Sequence, residues 1–80
     1  MLVDITHSYL TVQVGHRRAT IQGELCQLDV DRTGFVLYTD TMSMWDEPYH
    51  EMEITETDRM RIIHILTGAL AQRGQTLLVE

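Results

Sequence analysis

The chain has no lysine, and its 80 residues include one cysteine, one proline and one tryptophan. Without lysine, all side-chain cationic charge rests on six arginines, which face twelve carboxylates to give a formal charge of -6. Such a balance argues against nucleic acid or an anionic membrane as the main partner and makes a basic protein the natural complement. A lone cysteine excludes an internal disulfide, and neither a cleavable apolar leader nor an apolar run of about 20 residues is present. The expected compartment is therefore the cytoplasm. Cys26, between Leu25 and Gln27 in a strand-like run, reads as a buried, inert thiol.

No low-complexity tract, linker or internal repeat interrupts the chain, and 44% of its residues are apolar, more than a disordered segment carries. A chain of this length buries only roughly 60% of its unfolded surface. One domain over residues 1–80, with one sheet layer against one helix, is the expected limit.

Leu2 to Ile5 reads as extended, and from Tyr9 to Val14 the residues Leu10, Val12 and Val14 alternate with Tyr9, Thr11 and Gln13. Period-2 alternation marks a half-buried strand. Gly15-His16-Arg17-Arg18 supplies a turn with a glycine free to take positive φ, and Ala19 to Leu28 resumes the alternation, which closes a hairpin. Gly23 takes an inward position and Leu28 falls out of phase with Leu25; together they predict a bulge or a close backbone approach near Cys26. Asp29 to Gly34 is turn chemistry, with Gly34 placed for a left-handed exit, and Phe35 to Thr39 is a third long strand.

Residues 40–54 show no periodicity and form a long, acidic loop. Thr55 is a helix cap, with Glu56 and Asp58 at the positive end of the dipole. At ~100° per residue, Ile62, Ile63, Ile65, Leu66, Ala69 and Leu70 share one arc, opposite Met60, Arg61, His64, Thr67, Gly68 and Ala71. Gly74 is a C′ residue, so the helix ends near Arg73 and hands over to a short strand, Thr76 to Val79. The predicted order is β-β-β-β-α-β. The fold class is α+β: an antiparallel meander of four to five strands, packed on one face by a single C-terminal helix, with a short final strand.

The chemistry-bearing residues are few. Asp46, Glu47, His50 and Glu51 are close in sequence, but no metal-ligand signature accompanies them. Neither metal nor cofactor is expected. His7, Ser8, His16, Glu24 and His64 lack the context of a nucleophile or acid/base pair, so no catalytic residue is assigned and no enzyme is expected. Glu24 reads as solvent-facing, pinned by backbone amides or by Arg17 or Arg18 across the hairpin. The weakly polar helix face of Met60, His64, Gly68 and Ala71 is a second candidate contact surface.

The most informative stretch is Trp45-Asp46-Glu47-Pro48-Tyr49, two large aromatics and a rigid proline among carboxylates. Trp45 is expected to close the core and Pro48 to fix the turn. Asp46, Glu47, Tyr49, Glu51 and Glu53 are expected to contact a partner, an aromatic anchor ringed by steering charge. Gly23, Trp45, Pro48 and Gly74 are expected to be structural. Two other readings stand beside this one: a small metal-dependent or acid/base enzyme using His50 or His64 with Glu24 or Glu51, and a self-associating module, such as a homodimer, pairing through the helix back or a sheet edge.

With Thr20-Ile21-Gln22-Gly23-Glu24, Gly34-Phe35-Val36, Trp45-Asp46-Glu47-Pro48-Tyr49 and Ile54-Thr55-Glu56 ahead of a helix ending near Gly74, the chain resembles the small immunity proteins of bacterial polymorphic toxin systems, in particular the immunity protein 74 family. The resemblance covers most of the chain. It implies a cytoplasmic, non-enzymatic protein, made beside a toxin whose active site it blocks or distorts. It further implies acidic residues set against a toxin that is basic near its active site, such as a nuclease or a nucleotide-consuming enzyme. Gly23 and Trp45 match the family pattern.

Overall fold

Alternation and turn chemistry produce the predicted hairpin. In the computed structural model, which describes all 80 residues, β2 (Tyr9–Val14) pairs antiparallel with β3 (Arg17–Asp29), Val14 opposite Arg17, across a turn in which Gly15 has φ +63°. β1 (Leu2–Ile5) joins the outer edge of β2, with a register shift between Leu2 and Asp4. On the other side lie β4 (Arg32–Leu37) and then β5 (Gln75–Val79), so the sheet order is that of the chain. The helix α1 (Glu56–Gln72) intervenes between the last two strands. Because it carries the chain back along the sheet, β5 runs parallel to β4, not antiparallel as the sequence reading expects, and the sheet is mixed.

Local signals also set the ends of α1. The Thr55 hydroxyl accepts the Asp58 amide at 3.2 Å, and the Asp58 carboxylate accepts the Thr55 amide at 3.3 Å, a closed capping box. Gly74 leaves the helix at φ +73°, a conformation glycine adopts without a Cβ penalty. Ile62, Leu66 and Leu70 are fully buried, with Ile63, Ile65 and Ala69 half-buried beside them, while Met60, His64, Gly68 and Ala71 remain exposed. They meet the inward rows of the sheet: Leu10 and Val12 of β2, Ala19 and Ile21 of β3, Phe35 and Leu37 of β4. No helix is long and apolar enough to cross a membrane.

β3 is the spine of the molecule. Its 13 residues, at about 3.3 Å each, account for most of the 42 Å long axis, against 20 Å in the other directions. Its first half pairs with β2 and its second half with β4. Each half is thus left with one edge that no strand covers, and irregular segments fill both. The Ser8 and His7 carbonyls accept the Gly23 and Leu25 amides at 3.0 and 3.1 Å. On the opposite edge, Gln22 donates to the Thr41 hydroxyl at 3.1 Å and its carbonyl accepts the Tyr38 amide at 2.9 Å. Such pairing satisfies backbone groups that are costly to leave buried and bare.

Near Cys26 the structure holds both a bulge and a close approach. The register of β3 against β4 slips between Gln27 and Asp29, which accounts for the phase of Leu28. Leu28 then covers Gly34, its Cδ1 lying 2.9 Å from where a Cβ on that glycine would stand. Gly34 is therefore a strand residue opposite Cys26 and Thr76. It has no positive φ, so the left-handed exit expected of it does not occur; its lack of a side chain serves packing instead. Cys26 is only half-buried, since it pairs with Gly34 on the sheet face away from the helix.

Candidate partner-binding surface

The acidic loop is a folded element. After a short 3-10 turn, η1 (Thr39–Thr41), Met42 enters the core and the chain doubles back on itself. Met44 bridges to Glu53, the Trp45 amide donates to Met52 O at 3.3 Å, and the Ile54 amide to Ser43 O at 2.8 Å. Two further turns, Tyr49 N–H to Asp46 O and Met52 N–H to Tyr49 O, each 2.9 Å, close its tip. The Glu47–Pro48 peptide within this tip is cis.

Trp45 is 2% exposed and belongs to the core cluster. The Arg17 guanidinium stacks on its ring, 4.4 Å from the centroid, an arrangement favoured by the ring's negative face. Its indole N–H has no acceptor. Asp46 is half-buried and committed to the fold: its carboxylate accepts the Thr20 amide at 3.2 Å and the Thr20 hydroxyl at 2.7 Å, while its own amide donates to Arg18 O at 2.7 Å. These bonds seal the remaining free edge of β3. Tyr49 is half-buried against the core.

Glu47, Pro48, Glu51 and Glu53 are exposed. The protein's ion pairs join Asp29 to Arg32 and Glu56 to Arg59, so none of the three loop glutamates is neutralised by one. Beside the loop, Tyr49 and Met52 line a hollow of about 430 Å³ with His16, Arg17 and Arg61. Five residues proposed from sequence as contacts thus divide: three free carboxylates, one aromatic half inside, and one carboxylate engaged by β3. His50 stays exposed, and no group of three or more His, Cys, Asp or Glu side chains is gathered in a form that could hold a metal ion.

Glu24 forms an ion pair with neither Arg17 nor Arg18. It lies on the outer face of the sheet near Tyr38; the strand expected over Phe35 to Thr39 instead runs from Arg32 to Leu37, so Tyr38 caps the 3-10 turn that follows it. Partial burial first, then the Glu24 and Glu80 carboxylates, push the Tyr38 phenol above the ordinary range. The folded state thus holds this proton to higher pH than the unfolded chain does. Stability from this group is complete below the unfolded phenol's pKa and is lost as pH rises through the folded one. The phenol transition that Tyr38→Phe removes from an ultraviolet titration should accordingly lie above the ordinary phenol range, and the same substitution should reduce the alkaline loss of stability; a missing transition at or below that range would contradict this placement.

A loop pinned by backbone bonds, presenting unpaired carboxylates beside half-buried Tyr49, is suited to a macromolecular contact surface. No curated protein and no solved structure matches the chain. The family model described as Immunity protein 74 matches residues 2–80, which takes in the hairpin, the folded acidic loop, the capped helix and the final strand alike, and the chain belongs to that family.

Proposed function

We propose that this immunity protein acts by binding and neutralising a cognate bacterial toxin domain in the cytoplasm, with the acidic loop as the contact. The observation that carries the reading is the state of Glu47, Glu51 and Glu53: exposed, outside every ion pair, and held on a loop whose backbone is fixed from within. Preorganised charge of one sign costs little ordering on binding and steers a basic partner toward the surface. Asp46 serves the same surface indirectly, by fastening the loop to β3. Tyr49 anchors the tip and offers its outer part to the partner.

The test is association with the toxin domain encoded beside this chain, measured by stopped-flow using the Trp45 fluorescence. Glu47→Lys combined with Glu51→Lys should slow association by about tenfold or more and remove most of its salt dependence, with protection of cells expressing the toxin reduced in parallel. Both side chains are exposed, so the melting temperature should hardly change. A rate indifferent to the reversal and to added salt would remove the loop from the interface.

A further inference from the structure

The outer face of the sheet carries an aromatic and polar row that no element covers. Tyr9 stands opposite Gln22 in the β2–β3 ladder. Leu37, opposite Gly23, points to the core, so Tyr38 turns outward, and its amide bonds Gln22 O at 2.9 Å. Tyr9, Gln22 and Tyr38 therefore lie side by side across the sheet. With strands about 4.8 Å apart, the two rings flank the central amide at roughly 10 Å from each other. Glu24, two residues beyond Gln22, shares their face.

Between the rings is an open hollow of about 410 Å³, lined by Ser8, Tyr9, Thr20, Gln22, Glu24, Tyr38 and the Gly23 backbone. No cation lines it, and Glu24 has no ion-pair partner. Glu80 adds further negative charge near Tyr38. It is held there by backbone bonds, its amide to Leu37 O and its carbonyl to the Thr39 amide, both 2.9 Å.

We propose that this hollow receives an arginine side chain of the protein partner, a second anchoring point on the face of the sheet. Resting on the toxin-binding reading above, it adds a site that the loop does not contain. The chemistry selects the guanidinium group. The two tyrosine rings that line the hollow favour a flat, weakly hydrated cation. The Glu24 carboxylate, which also faces the Tyr38 phenol, accepts the guanidinium N–H donors on its remaining lone pairs, and the Gln22 amide oxygen and the Ser8 and Thr20 hydroxyl oxygens accept what remains. An ammonium group fits less well, because it is compact, strongly hydrated and cannot stack.

The probe is N-acetyl-arginine methylamide, titrated into the isotope-labelled full chain and followed by amide chemical shifts; the citrulline and lysine analogues serve as comparisons. Saturable shifts at Gln22, Glu24 and Tyr38, with a dissociation constant of about 1 mM, are expected for arginine. The lysine analogue should bind several-fold more weakly and citrulline not measurably. Glu24→Gln should weaken arginine binding about tenfold, and Asp31→Asn, at an exposed turn outside the hollow, should leave it unchanged. Shifts confined to residues 47–53, no saturation, or equal responses to arginine and citrulline or to arginine and lysine would overturn the site. Because no toxin enters the titration, its failure is separable from that of the acidic loop: arginine binding can vanish while charge reversal at Glu47 and Glu51 still slows toxin association, and the reverse.

Discussion

Gly23→Ala is expected to destabilise the protein by about 3 kcal/mol or more, at or beyond the upper end of ordinary overpacking. A Cβ at this position would overlap the Val36 carbonyl oxygen and Phe35 Cε1, and would lie 3.0 Å from Phe35 Cζ. The carbonyl belongs to the β4 backbone, so it cannot swing aside as the end of a flexible side chain would. Phe35 is fully buried and has little room to retreat. Either β3 separates from β4 locally or the ring leaves the core. Since an 80-residue domain has about 4 to 12 kcal/mol of stability in all, the loss removes a large share of it. Urea unfolding followed by Trp45 fluorescence measures the effect. Gly68→Ala is the control: the site is helical and exposed, with nothing within 4 Å of the added carbon, and a gain of about 0.4–1 kcal/mol is expected. A Gly23→Ala protein as stable as the parent would mean that β3 and β4 do not approach as described.

Trp45→Ala is expected to cost about 3–5 kcal/mol, the range for truncating a large buried aromatic. Trp45 stands among the largest fully buried side chains and joins the loop to the core that the sheet and helix share. Its removal leaves a cavity, strips Arg17 of its aromatic platform and releases the arm of the loop that ends at Asp46. The consequence should reach the surface: with the carboxylates no longer held in place, toxin association should weaken even where the variant is still folded. Far-ultraviolet circular dichroism in urea is the measurement of choice, because the substitution removes the only tryptophan. Trp45→Phe should be much milder. It keeps most of the apolar volume and deletes an indole N–H that is buried without an acceptor, a group whose isolation costs about 1–3 kcal/mol. Equal destabilisation by alanine and phenylalanine would contradict the packing role.

Both substitutions fall at positions where sequence pattern pointed to a structural role but not to its cause. Gly23 interrupts an alternating strand on its inward side, which indicates that something comes close; that the visitor is the Val36 carbonyl depends on the pairing of Glu24 with Val36. Trp45 and Asp46 are adjacent, yet one enters the core and the other binds the edge of β3. The size of Trp45 marks it for the core, but nothing in a stretch without periodicity shows that Asp46 is engaged by the fold and not by a partner. Asp46 meets Thr20, 26 residues away, and the missing edge it seals exists only because β4 pairs with the far half of β3. Tyr9 and Tyr38 did leave a trace, since each neighbours an inward leucine, Tyr9 within β2 and Tyr38 just past the end of β4, and so faces outward. Their convergence on Gln22 required the order of three strands.

What the sequence by itself determined is therefore whatever rests on neighbours a few residues apart. The capping box at Thr55, the exit at Gly74, the buried arc of Ile62, Leu66 and Leu70, and the hairpin at Gly15 all follow from local backbone preference and the periods of helix and strand. The short motifs in which the chain resembles its family are of the same kind. Tertiary structure alone decided the parallel seating of β5 on β4, the folding of the acidic loop onto β3, and the release of Glu47, Glu51 and Glu53 to solvent while Asp46 was engaged. The physical reason is that an uncovered strand edge or a filled core is a property of the assembled sheet. Which side chains are consumed in completing it, and which are left for a partner, is set only when distant segments meet.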